Sequence, residues 1–95
     1  MIRNVVLVKL KPGADPVEVA ATQQDFLDLN CSGTLSYTLG DDLGLREGNW
    51  RFAIVADFTN ADAYRGYDVD AVHNQARARL APLATEIARV QFEIP

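Results

Sequence analysis

A single histidine, His73, stands among the 95 residues. Its ordinary pKa of roughly 6.5 makes it the side chain best matched to proton transfer near neutral pH. Acid/base chemistry in this chain therefore centres on His73. Two readings stand open. His73 is a general base or polar anchor at the mouth of a pocket, or it is a partly exposed helix residue with its ring near the Asp70 carboxylate. Asn4 sits in an otherwise apolar run. If buried, its amide must find partners, either in a neighbouring loop or in a ligand. Tyr67 reads as a core or rim aromatic with a hydrogen-bonded hydroxyl, or as a group that orients a ligand. Metal chemistry is not expected. Asp41, Asp42 and Glu47 match no calcium loop, and His73 with Cys31 makes no zinc set. No phosphate-cradling Gly-rich loop and no Ser-centred elbow is present.

The elements that must carry these residues follow from periodicity and punctuation. Ile2–Leu10 is apolar at both parities and stops at Pro12-Gly13, which suits a strand covered on both faces. Asp15-Pro16-Val17-Glu18 starts a helix, with Asp as N-cap and Pro at the first helical position. This helix is expected to run to about Leu29 with two apolar faces. Val17, Ala20, Ala21 and Leu27 lie on one, and Val19, Thr22, Phe26 and Leu29 on the other. One face lies on a sheet. The second, with Phe26, is expected to meet a cavity or a partner subunit.

Thr34–Gly40 reads as a second strand and Asp41–Asn49 as a loop. Trp50–Phe58 reads as a third strand, with Trp50, Phe52, Ile54, Ala56 and Phe58 on one face. Asn60 caps a short helix over Ala61–Tyr67, and Asp70 caps a longer one. Val72, Ala76, Leu80, Leu83 and Ile87 form a stripe along that helix, interrupted by Pro82. Arg89–Ile94 alternates as a fourth strand. The order is β-α-β-β-α-β with an extra short helix, in one domain spanning residues 1–95. The fold class is α+β, ferredoxin-like, with a four-stranded antiparallel sheet and helices on one face. The other face is left bare and apolar. Two such sheets facing each other would close a barrel between subunits.

Net charge is −4, with the nine Lys and Arg scattered, so nucleic acid is not an expected partner. No segment approaches the roughly 18–20 apolar residues of a membrane span. The N-terminal run is short, ends in Lys9 and Lys11 and lacks a small-residue cleavage site, so it reads as a strand rather than a signal peptide. A lone cysteine excludes an internal disulfide and fits a reducing, cytoplasmic setting.

Taken in order, IRNVVLVKLKPGA, FAIVADFTNADAYRGY, VDAVHNQAR and RVQFEI resemble the stress-responsive A/B barrel (Dabb, dimeric α/β barrel) domain family over nearly the whole chain. The resemblance implies a homodimer with an internal cavity. One branch is similar to polyketide cyclases, which use two histidines and a tyrosine, without cofactor, to close a poly-β-keto chain by aldol chemistry. By position the helix histidine matches His73 and the tyrosine matches Tyr67. The frequent His-Pro of the family is Asp70-Ala71 here, and its first-strand histidine falls on Asn4. Asn donates and accepts hydrogen bonds but carries no proton near neutral pH, so half of the acid/base pair is absent. The same mapping implies that Val6, Val8, Thr22, Phe26 and Ile54 face the pocket.

Two functions from different classes follow. The first is a cofactor-free, cyclase-like enzyme acting on a polyketide or similar oxygenated apolar compound. His73 would transfer the proton, Tyr67 would orient an oxygen and Asn4 would bond the developing oxyanion. The second is a non-catalytic ligand-binding or stress-associated structural dimer. Asn4, Trp50 and His73 also weakly echo the cofactor-independent monooxygenases that share the barrel. A pocket of roughly 300 Å³ or more favours a ligand, and a filled interior favours a structural role.

Overall fold

The computed structural model describes residues 1–95. Strands β1 (Ile2–Leu10), β2 (Thr34–Asp41), β3 (Phe52–Phe58) and β4 (Ala84–Glu93) form one antiparallel sheet in the order β2-β3-β1-β4. Helices α1 (Pro16–Leu27), α2 (Ala61–Val69) and α3 (Ala71–Leu80) cover one face. This is the expected ferredoxin-like arrangement. Asp15 caps α1 through Val17 N, and Asn60 caps α2 through Ala63 N.

Strand parity decides what is buried. Asn4, Val6 and Val8 of β1 pair with Ala56, Ile54 and Phe52 of β3. This face meets the helices and holds the core of Val8, Phe26, Phe52, Ile54, Ala76 and Leu80. Ala56, Phe58 and Tyr67 form a second, adjoining cluster. The opposite parity of the sheet is open. It carries Val5, Leu7, Ala53 and Val55, and on β4 Ala88, Val90 and Phe92. Val90 is 56% exposed and Phe92 44%. On β4 the usual alternation is inverted: Arg89 and Gln91 lie on the helix side, and the apolar parity faces outward. Within the open face, Arg3 forks onto Asp57 with bonds of 2.8 and 2.9 Å. That hydrogen-bonded guanidinium holds the Asp57 carboxyl below its ordinary range.

Three expectations need correction. First, the sheet-facing side of α1 is Val19, Thr22 and Phe26, all buried, whereas Val17 is 73% exposed and Leu27 is also exposed. Phe26 packs on the strands of its own chain. The two apolar faces are unequal because small Ala20 and Ala21 add little to the Val17 side. Second, the stripe from Val72 to Ile87 is not one helix. Pro82 cannot continue the hydrogen-bond ladder; α3 ends at Leu80, a single 3-10 turn spans Ala81–Leu83, and Ile87 belongs to β4. Third, Val72 is exposed and His73, one residue on, is buried. Boundaries also shift: β4 starts at Ala84, Trp50 precedes β3, α1 ends at Leu27 rather than near Leu29, β2 runs to Asp41 and α2 to Val69.

Gly33 joins α1 to β2 with φ of 84°. A Cβ there would lie 2.5 Å from the Ala63 Cβ of α2. Gly13 has φ of 75° but nothing within 4 Å. Both Ala substitutions carry the left-handed backbone cost of about 1 kcal/mol. Only Gly33→Ala adds overpacking, worth about 1–3 kcal/mol more. Chemical denaturation is expected to show Gly33→Ala clearly less stable than Gly13→Ala; equal losses would contradict the packing account.

Candidate functional site

The corner between α2 and α3 builds the site. Asp70 is extended (φ −60°, ψ 133°), closing α2 and capping α3. Its carboxylate accepts the backbone N–H of His73 at 3.0 Å. The Asp70 carboxylate therefore meets the His73 backbone rather than its ring. The tight reversal lays His73 over Tyr67, with ring centroids 3.8 Å apart and planes 26° off parallel. Phe26 meets the His73 ring edge-on at 5.9 Å.

His73 is only 3% exposed, so the partly exposed reading fails. Its Nδ1 lies 2.7 Å from the Tyr67 carbonyl oxygen. A carbonyl only accepts, so in the neutral ring Nδ1 carries the hydrogen and Nε2 keeps its lone pair. Nε2 has no hydrogen-bond partner within the chain, yet it is not a sealed, orphaned atom. Burial lowers the His73 pKa below the ordinary imidazole value; the bond to the Tyr67 carbonyl works against this, and Arg77 reinforces it. The ring is neutral at pH 7.

The Tyr67 hydroxyl lies 2.8 Å from the Tyr37 hydroxyl. Burial raises both phenols above their ordinary range, and Tyr37 partly offsets this in Tyr67 through their hydrogen bond. Both stay protonated; one donates to the other in their shared bond, which leaves one hydroxyl proton free to be donated elsewhere. Asn4, buried on β1, accepts a 2.8 Å hydrogen bond from the Gln91 amide of β4. Its partner is therefore a strand neighbour rather than a loop.

Asn4, Val6, Phe26, Ile54, Tyr67 and His73 line one cavity, joined by Tyr64, Arg77, Leu80, Ile87 and Arg89. Its volume is about 30 Å³, room for one or two water-sized groups. The cavity lies between the sheet and helices of a single chain. Val8 and Thr22, expected to face it, do not line it. Val8 is sealed in the core beside Phe52, and Thr22 lies one turn before Phe26 on α1. The Thr22 hydroxyl is buried without a partner. A far larger concavity, about 540 Å³, opens on the other face of the sheet beneath Leu43, Leu45 and Trp50. It is wide open and holds no histidine or tyrosine; His73, Tyr67 and Asn4 all line the small cavity. No three His, Cys, Asp or Glu side chains converge anywhere, and no helix is long and apolar enough to cross a membrane.

Comparison with known proteins agrees with the fold. Residues 2–94 match the family described as the Stress Responsive A/B Barrel Domain, Dabb. The chain belongs to the Dabb family. A dimeric ferredoxin-like protein of unknown function from Thermobifida fusca is 32% identical, with a TM-score of 0.91 over 98% of this chain and 90% of that one. A Dabb family protein with a ferredoxin-like fold from Mesorhizobium loti is 18% identical, with a TM-score of 0.78 over 99% and 96%. The hydroxynitrile lyase of Passiflora edulis is 15% identical, with a TM-score of 0.86 over 99% and 93%. At the last two identities the likeness is one of fold. No curated protein matches the chain significantly.

Tyr37, Tyr64, Arg77, Arg89 and Gln91 were not singled out by sequence reasoning. Three of them were marked by parity. Arg89 and Gln91 share one parity of a strand whose other parity is Val90 and Phe92, and Tyr37 shares its parity with Leu39.

The depressed His73 pKa has a definite consequence for stability. The unfolded chain takes up the imidazole proton near pH 6.5, and the folded chain resists until lower pH. Between those values the unfolded state binds more protons, so stability falls as pH falls. His73→Gln removes this component. Thermal melts from pH 7 to 5 are expected to show a shallower loss for His73→Gln than for the wild type. Parallel curves would mean the ring is not held neutral.

Proposed function

We propose that this Dabb domain is a cofactor-free acid/base enzyme acting on a compact oxygenated carbon acid. The observation that carries the reading is the buried, neutral His73, with Nδ1 pinned to the Tyr67 carbonyl. Pinning one nitrogen aims the lone pair of the other, as a general base requires. In the proposed step Nε2 takes a proton from a carbon next to a carbonyl. The electron pair of that C–H bond moves onto the carbonyl oxygen, giving an enolate. In this reading Tyr37 donates to Tyr67, and the Tyr67 hydroxyl and the Asn4 amide would donate to that oxygen. Imidazolium then returns the proton to carbon or to a product.

A volume of about 30 Å³ sets the substrate's size. It admits a reacting carbonyl unit and falls well short of the roughly 300 Å³ of an enclosed ligand pocket. A poly-β-keto chain would insert one keto unit and leave the rest outside. A hydroxynitrile lyase shares the fold, and its name denotes a hydroxyl-bearing substrate. The same small volume favours the second reading, a non-catalytic structural dimer.

The test is exchange of carbon-bound hydrogen in small ketones, followed by NMR in heavy water. His73→Gln is expected to lose about 10²–10⁴ in rate. Gln is the better variant, because Ala at a buried, stacked site would cost about 2–4 kcal/mol through the cavity it leaves. Asn4→His, which restores a second proton carrier, is expected to accelerate exchange. Equal rates in all variants at unchanged stability would favour the non-catalytic reading.

We further propose that the chain pairs as a homodimer through its open sheet face. Support comes from the outward apolar parity of β1, β3 and β4 and from the dimeric Thermobifida fusca relative. Light scattering is expected to give twice the 10.4 kDa chain mass, and Val90→Asp with Phe92→Asp to give the single chain. A monomeric wild type would refute the pairing.

A further inference from the structure

The charged residues around the cavity depart from the character of the chain. The protein has 13 acidic and 9 basic residues, yet no Asp or Glu lines the cavity, and both charged residues there are arginines, Arg77 and Arg89. Arg77 is already engaged. Its guanidinium bonds the Asp68 carboxylate at 2.5 Å, the Asp68 carbonyl at 2.8 Å and the Asn74 side chain at 3.0 Å. Arg89, which is exposed to solvent, has no hydrogen bond and no ion pair; the same holds of Arg46 on an exposed loop away from the cavity, whereas Arg3, Arg51, Arg65, Arg77 and Arg79 are all paired with acids. Its place follows from register. Arg89 lies opposite Val6, and Gln91 opposite Asn4. The inverted parity of β4 thus turns a free guanidinium towards the groups that would perform the chemistry. Burial and the Asp68 carboxylate raise the Tyr64 phenol, and Arg77 and Arg89 partly offset this.

From this arrangement we infer that the ligand is a short oxo- or hydroxy-carboxylate, its carboxylate held by Arg89 at the mouth and its reacting oxygen inside, near His73, Tyr67 and Asn4. A guanidinium fork matches a carboxylate through two parallel bonds. One guanidinium also pairs with a phosphate, but the backbone N–H groups that commonly complete a phosphate site at a helix N-terminus are not offered here. The α3 terminus beside the cavity is closed by the Asp70 carboxylate, and that of α2 by Asn60. The apolar wall of Val6, Phe26, Ile54, Leu80 and Ile87 suits a short carbon chain between the two polar ends. This inference rests on the acid/base reading for the role of the inner oxygen, but the anion site itself does not require it.

The full chain is to be titrated with pyruvate, acetoacetate and levulinate, with their methyl esters and with inorganic phosphate, following the His73 ring resonances by NMR. The acids are expected to bind, more weakly as salt is raised, and the esters and phosphate to bind at least tenfold more weakly. Arg89→Gln should weaken the acids about 10- to 100-fold, the worth of a charge-assisted pair. Arg65→Gln, which removes the same charge at an exposed site off the cavity, should change binding less than about twofold. Esters or phosphate binding as tightly as the acids, or an unchanged affinity in Arg89→Gln, would overturn the inference. Hydrogen exchange measured on the same compounds separates the two readings. His73-dependent exchange with no advantage for the acids would sink the anion site alone. Acid binding through Arg89 with no exchange in any compound would sink the enzyme and leave the anion site standing.

Discussion

The 2.7 Å contact between His73 Nδ1 and the Tyr67 carbonyl is the joint on which the site depends. It spans the turn between two helices, so it fixes their corner and the imidazole tautomer together. The ring it fixes is stacked on Tyr67 and closed at its edge by Phe26. Three elements thereby share one aromatic cluster, and the Tyr37 hydroxyl ties in a fourth. Burying a titratable ring is unfavourable for its charged form. Here that constraint keeps the ring neutral, the state in which a histidine can accept a proton. Packing and chemistry are thus set by the same contacts.

The second organising feature is the division of the sheet. The helices cover β1 and β3 and leave the far edge, β4, largely uncovered on their own side. A strand in that position would ordinarily turn its polar parity to solvent and its apolar parity to the helices. β4 does the reverse. The apolar parity of the open face therefore extends over β3, β1 and β4, while the polar parity of β4 is free to line the cavity rim. One strand serves two surfaces, and the alternation of two residues separates them cleanly.

Much of the fold was legible because local and global signals agreed. Asp15-Pro16, Asn60 and Asp70 mark helix starts by chemistry that works at short range. The alternation of β3 placed Phe52, Ile54, Ala56 and Phe58 on one face, as found. Where the reading failed, the deciding term was tertiary. Phe26 was assigned away from its own sheet because a helical projection shows two faces without saying which one the sheet takes. Val72 and His73 exchanged roles because an apolar stripe continuing past Pro82 looked stronger than it was, and the real helix is short. The site was legible only in part. Asn4, Tyr67 and His73 do meet at one cavity, with Val6, Phe26 and Ile54 around them. Val8 and Thr22 do not reach it, and Arg89 came into view only with the register of β1 against β4.

The Arg3–Asp57 pair gives the open face a property that its apolar residues alone would lack. Any surface that closes over it must take the partly exposed Arg3 guanidinium out of water, Asp57 being already buried, a penalty that falls equally on right and wrong partners unless the incoming surface answers it. A uniformly greasy patch offers nothing in return. A surface that brings its own polar atoms to that spot, in the correct position, recovers the loss. The ion pair thus acts as a lock on orientation. It adds little to the strength with which this face adheres and much to its choice of what it adheres to, and it penalises misaligned pairings that bare hydrophobicity would tolerate.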